Sequence, residues 1–236
     1  ASQALGQTRP VIVVAPVNLD AQVARLSNAQ QALVKRVYEL TGGKPIWTVE
    51  RLRVLQEVAS GAERHALPIT DYFDFVGLAA NPETAEVRAT ASALAYAGAL
   101  AHGTVEPEKV EELWEMDKNA IDLATGLVEA ISANRLADWF EALAPQDIGY
   151  KNLSAGYVRY RRLARAGGWP HFAPGGTLEP GSTDKRIPAL VARLVAEGDL
   201  SESAGQRLAQ SQTYGSELQT AVRSFQTRHG LGSDAR

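Results

Sequence analysis

Eight of the fifteen residues from Gly167 to Gly181 are glycine or proline, a density that no helix or sheet interior tolerates. On both sides of this stretch apolar residues recur at helical spacing. The chain therefore reads as two helical blocks joined by a long irregular connection, and the fold class it implies is all-α. The spacing places a domain boundary near residue 181. Residues 1–20 form an extended arm marked by Pro10, Pro16 and the β-branched run Val11 to Val14; residues 21–181 form the larger block and 182–236 the smaller.

Within the larger block, Val23, Leu26, Ala29, Leu33, Val37 and Leu40 share one face of a helix from Ala21 to Leu40 that Gly42-Gly43 stops. A second helix covers Thr48 to Glu63, with Thr48 as its N-cap and Pro68 closing it. The alanine-rich stretch Pro82 to Ala101 predicts a close-packed helix. The next runs from Pro107, a favourable first-turn proline, to about Ile131. Asn134 caps a short helix from Arg135 to Leu143. The helix from Ile148 to Ala166 has a cationic side (Lys151, Arg159, Arg161, Arg162, Arg165) that reads first as a solvated face. In the smaller block, Ser182-Thr183-Asp184 opens a helix to Glu197 with Gly198 as its stop, a polar loop follows, and a last helix spans Ser216 to Arg228.

Composition excludes several function classes. With 24 basic and 27 acidic residues the net charge is −3, which fits neither a nucleic-acid binder nor a polybasic membrane-surface protein. There is no cysteine, so thiol catalysis, disulfides and cysteine-ligated zinc are absent from this chain. The four histidines (His65, His102, His171, His229) are scattered, and no paired carboxylates, nucleotide-binding loop or metal spacing emerges. No cofactor, metal, nucleic-acid partner or catalytic residue is expected. The early apolar run Val11 to Val17, interrupted by Pro16, is too short for a transmembrane segment. A small-residue start at Ala1-Ser2 and the lack of cysteine fit an exported protein whose leader has been removed.

The smaller block carries a motif. Ala221-Val222, Phe225-Gln226 and His229-Gly230-Leu231 follow Tyr214-Gly215 and Leu218, and this order resembles the three-helix peptidoglycan-binding repeat. Leu218, Val222 and Phe225 form its apolar stripe, Gly230 supplies a left-handed helix cap, and Gln226 braces the loop beyond. The resemblance implies a third helix after Leu231; none is encoded before Arg236, so the repeat is expected to be incomplete.

Upstream, Val37-Tyr38, Pro45-Ile46-Trp47, His65-Ala66-Leu67-Pro68, Asp71-Tyr72, Leu143-Ala144-Pro145, Tyr150, Tyr160 and Gly167-Gly168-Trp169-Pro170 are similar to landmarks of the helical scaffold domain of large periplasmic L,D-transpeptidases. One stretch departs from the pattern: those proteins carry an acid and a threonine in a DLLLT stretch near the third helix, where this chain has Glu86-Val87-Arg88-Ala89-Thr90-Ala91. The combined resemblance covers roughly residues 30–235. It implies a scaffold domain plus partial peptidoglycan-binding repeat from a periplasmic cell-wall protein. The cysteine domain that forms 3→3 cross-links through a thioester lies outside the sequence. The alternatives are a stand-alone murein-binding or interaction protein without activity, and more remotely the accessory part of an amidase or transglycosylase. Peptidoglycan is the expected ligand, and a catalytic domain or a cell-wall protein the expected partner.

Tyr214, Gln226, Arg228 and His229 are the candidates for contact with peptidoglycan; for Gln226 and His229, capping of the helix end competes with that role. Trp169 and Phe225 read as structural anchors, Trp169 pinning the irregular connection, with a sugar-stacking platform as its alternative. Trp47, Trp114 and Trp139 read as core, and His65 and His102 as histidines satisfying carbonyls at helix ends.

Overall fold

A computed structural model describes residues 19–105 and 121–236. The fold is all-α, as the periodicity predicts, and falls into two compact units that divide between Val158 and Arg159. The expected arm and the stretch around Pro107 and Trp114 lie outside the described residues.

The first unit is organised around one long helix. In order come α1 (Leu19–Val23), α2 (Asn28–Leu40), α3 (Val49–Ser60), a 3₁₀ turn (Ala62–His65), α4 (Ile69–Tyr72), α5 (Phe75–Ala80), α6 (Pro82–His102), α7 (Leu123–Ser132), α8 (Leu136–Leu143) and α9 (Ile148–Arg165), which runs past the unit boundary. Proline opens α6 at its first position, where no backbone N–H is needed. Its alanines (Ala85, Ala89, Ala91, Ala93, Ala97) are buried on several sides, and α1, α2, α4, α5, α7 and α8 all pack against it. A helix buried around most of its circumference needs small side chains wherever neighbours approach closely, which explains the composition of this segment. Two further packing pairs, α2 on α7 and α3 on α8, complete the core.

Several elements depart from the sequence reading. The helix expected over residues 21–40 breaks after Val23, because Ser27 starts α2 afresh: Gln30 Oε1 accepts from its hydroxyl at 2.9 Å and its backbone N–H at 3.4 Å. Thr48 caps α3 as expected, accepting from Arg51 N–H at 3.2 Å, but α3 ends at Gly61 and not at Pro68. Pro68 precedes α4 instead. Helix α7 begins at Asp122, whose carboxylate accepts from the Thr125 N–H at 3.0 Å, so it is not the tail of one helix from Pro107. Asn134 follows the C-cap of α7, Ala133, and is not the cap of α8. Its φ of 52° and the Arg135 N–H to Ala130 carbonyl bond (2.8 Å) form a left-handed helix stop.

The second unit holds the end of α9 and helices α10 (Ile187–Glu197), α11 (Glu202–Leu208) and α12 (Ser216–Arg228). The expected two-helix remnant is thus corrected to three helices. The additional helix lies between the other two, in the segment read as a polar loop. Ser201 caps it by accepting from the Ala204 N–H, but seven residues with Gly205 inside give no readable apolar period. The core is Ile187, Val191, Leu194, Leu200, Ala204, Tyr214, Leu218 and Ala221. Ser182 to Asp184 do not cap α10. They pair with residues 212–214 through an antiparallel bridge between Thr183 and Thr213 and flanking backbone bonds of 2.8–3.0 Å.

Candidate functional site

The motif at the end of α12 builds a rigid closure. Gly230 takes φ 68°, and the Leu231 N–H returns to the Gln226 carbonyl at 2.8 Å, the left-handed cap expected at that glycine. The chain beyond folds back: Ala235 is fully buried. Gln226 holds it at three points. Its amide nitrogen donates to Asp234 Oδ1 (2.9 Å) and the Arg236 carbonyl (3.1 Å), while its oxygen accepts from Ala235 N–H (2.9 Å). The Gln226 bond and the Arg236 backbone N–H hold the Asp234 carboxyl below its ordinary value. Tyr214 donates from the same side to the Ala235 carbonyl at 2.8 Å.

These contacts sort the four ligand candidates. Tyr214, at 1% exposure, is a core residue and presents no surface to a ligand; this corrects its placement among the contact residues. Gln226 is also buried, with its amide spent on the tail. Arg228 and His229 remain at the surface. Arg228 is bound to Asp199 (2.7 Å) and Glu197 (3.1 Å), and these bonds raise its pKa further. The His229 ring packs at 4.3 Å from Phe225, which itself packs against the core.

A groove of about 550 Å³ opens between α10 and α11. Pro188, Ala192 and Val195 line one wall and Glu202, Gly205 and Gln206 the other. Gly205 sets its floor: a Cβ there would collide with Val195 Cγ2. Sequence reasoning misses the groove because it misses α11; Ser201 followed by Glu202 is the cap signal that could reveal it. A second feature is a cage around Glu197. Arg193 bonds its carboxylate through Nε (3.0 Å) and Nη2 (2.8 Å), Arg228 binds the other oxygen, and Arg159 reaches the Glu197 carbonyl at 2.7 Å.

The first unit contains a buried clasp and a cleft. In the clasp, Glu86 Oε1 accepts from the Ile46 N–H (2.7 Å) and Tyr38 hydroxyl (3.1 Å), and Oε2 from the Trp47 N–H (3.2 Å). One turn on, Thr90 Oγ1 accepts from the Trp47 indole at 2.9 Å. Burial pushes the Glu86 carboxyl up, against the pull of the two N–H groups. The stretch that departs from the family pattern in sequence thus supplies the acid and the threonine that pin the 46–47 connection to α6.

The cleft, about 470 Å³, is lined by residues including His65, Arg64, Tyr96 and Glu141. Arg64 pairs with Glu141 and donates to His65 Nε2 at 3.0 Å, so the imidazole proton sits on Nδ1, 2.7 Å from the Tyr150 hydroxyl. Burial, then Arg64, lowers the His65 pKa, and burial pushes Tyr96 up to about 12. His65 therefore bonds a tyrosine and an arginine instead of helix-end carbonyls. Trp47 is core as expected, and Trp139 is half-buried against Phe140.

Among the described residues no group of three or more potential ligands could hold a metal, and no helix is long and apolar enough to cross a membrane. A family model described as Scaffold domain matches residues 32–157, from α2 into α9. The chain belongs to the Scaffold domain family. No curated protein matches it.

Proposed function

We propose that this chain is the non-catalytic scaffold and peptidoglycan-docking portion of an L,D-transpeptidase-like cell-wall protein, acting in the periplasm. The first unit serves as the rigid body, the second as the murein contact. The thiol nucleophile of 3→3 cross-linking is supplied from outside these 236 residues, which contain no cysteine. The observation that carries the reading is the closure of α12. The Phe225-Gln226 and His229-Gly230-Leu231 motif, on which the resemblance to a peptidoglycan-binding repeat rests, closes α12 on a tail braced by Gln226, in a unit whose α10–α11 groove is open. Membership of the Scaffold domain family supports the upstream half.

Co-sedimentation with purified sacculi tests it. The wild-type chain is expected in the pellet at low salt, and Ala192→Arg, which puts a long cation into the groove, is expected to lower retention about tenfold. A wild-type chain left in the supernatant overturns the docking role. The alternative reading is a stand-alone murein-binding or interaction protein without activity. The reading frame after Arg236 separates the two: a cysteine-bearing domain in frame supports the first, an immediate stop the second.

A further inference from the structure

Trp169 is expected to be an anchor, and an anchor is buried. Trp47 and Tyr214 are 3% and 1% exposed, whereas Trp169 keeps 37% of its surface and Tyr160 52%. Both rings are nevertheless fixed. Gly167 and Gly168, at φ 104° and 82°, turn the chain off the end of α9, a reversal that other residues adopt only under strain. The turn brings Trp169 over α10, where the Arg193 guanidinium lies 4.5 Å from its ring centroid. Tyr160 meets the indole edge-on, 6.0 Å away at 72°, and is itself backed by Arg159 at 5.4 Å. Both arginines are held in turn by Glu197. The result is two partly open aromatic rings whose orientation is set before anything binds.

The charge around them is not neutral. Arg159, Arg193 and Arg228 stand against Glu197 and Asp199, three cations to two anions. Flat rings suit the C–H face of a pyranose, and the outer guanidinium N–H groups of Arg159 and Arg193, those not directed at Glu197, suit a carboxylate. A neutral glycan would use only the rings and an acidic peptide only the arginines; a sugar bearing a carboxylate uses both.

We infer that Tyr160, Trp169, Arg159 and Arg193 form a docking platform for the acid-bearing sugars of a glycan strand. It is a second contact beside the α10–α11 groove. The identification of that glycan as peptidoglycan rests on the reading above.

The test uses the full chain, ¹⁵N-labelled, titrated with peptide-free glycan strands that retain the lactyl carboxylate. The indole N–H signal of Trp169 is assigned by its loss in Trp169→Phe. That signal is expected to move on titration. Arg193→Gln and Tyr160→Ala are each expected to weaken binding about tenfold, and neutral N-acetylglucosamine oligomers of the same length to bind more weakly. An unmoved Trp169 signal overturns the platform, as does a signal moved by poly-glutamate but not by glycan, which would make the patch a surface for acidic protein. Tyr160→Ala removes an exposed ring and is the variant least exposed to misfolding; the wild-type titration decides the matter if Arg193→Gln does not fold. Sacculus retention that persists without the indole shift removes the platform alone. The indole shift without sacculus retention removes the groove reading alone.

Discussion

Each unit withdraws one glutamate from solvent, and the two are satisfied in opposite ways. Glu86 is enclosed by neutral donors: two backbone N–H groups and a phenol, from segments 39–48 residues away in sequence. Glu197 is enclosed by arginines, two on its carboxylate and a third on its carbonyl. The neutral clasp faces inward, so that breaking it leaves buried groups with no water to turn to. The arginine cage lies under the surface, and its cations keep contact with solvent at 33–46% side-chain exposure. A carboxylate paired with backbone ties chain segments together; one paired with arginines also positions cations, and through them aromatic rings, at a surface. The first unit is built to hold shape and the second to present it.

The comparison predicts its largest effect at Glu86. Glu86→Ala strands the Ile46 and Trp47 backbone N–H groups in the core and leaves the Tyr38 hydroxyl only Thr90 as a partner, and a loss of about 3–5 kcal/mol is expected in urea unfolding. Glu86→Gln, which keeps the shape, should lose less than half of that. The same variant reads the titration. Burial raises the folded carboxyl above its ordinary value of 4.5, so the folded state takes up the proton more readily than the unfolded one. The stability owed to this group is complete below pH 4.5 and declines as pH rises through the raised value. The advantage of wild type over Glu86→Gln should therefore shrink with rising pH; an advantage that grows would show the N–H donors outweighing burial.

Glu197→Ala comes next, at about 2–3 kcal/mol, because the freed guanidiniums can rehydrate where the Glu86 donors cannot. A cost exceeding that of Glu86→Ala would break the distinction between inward and outward pairing. Gly205→Ala follows at about 1–2 kcal/mol, since its Cβ drives into Val195 and α11 must move off α10. Thermal unfolding checks both, and Gly205→Ala should also widen the groove enough to alter sacculus retention.

How much of this could be read from the sequence follows the range of the interactions. Local signals were readable: Pro82 at the start of α6, Thr48 capping α3, Gly230 stopping α12, and even the bracing role of Gln226, whose partners lie within ten residues. The break before Ser27 and the start of α7 after Asp122 do not show in the apolar spacing, because the caps act through single side chains. Helices α4, α5 and α11 span four to seven residues, too few for a 3.6-residue period to declare itself. Tyr214 was misplaced because a tyrosine motif residue suits a ligand surface and a core equally well. Its inward turn depends on Ala235, buried by the returning tail. At Glu86 and Thr90 the sequence reads only as a departure from the family pattern, and their partners Tyr38, Ile46 and Trp47, 39–52 residues away, come together only in the fold.

The smallest effect belongs to the cleft of the first unit, and it sharpens the contrast by testing a pair intermediate between the two glutamates. His65 bonds a neutral phenol on one side and a cation on the other. Burial and Arg64 both lower its pKa from 6.5, so the unfolded chain takes up this proton first on acidification. The stability owed to the neutral imidazole is complete above pH 6.5 and is lost as pH falls toward the lowered value, opposite in sign to that of Glu86. His65→Gln should cost about 1 kcal/mol above neutrality, for a half-exposed hydrogen-bonded ring, and progressively less in acid. Urea midpoints of both proteins across this range check the trend. A penalty unchanged by pH would mean that Tyr150 holds the ring equally well in both protonation states, and that the cleft, like the arginine cage, tolerates charge.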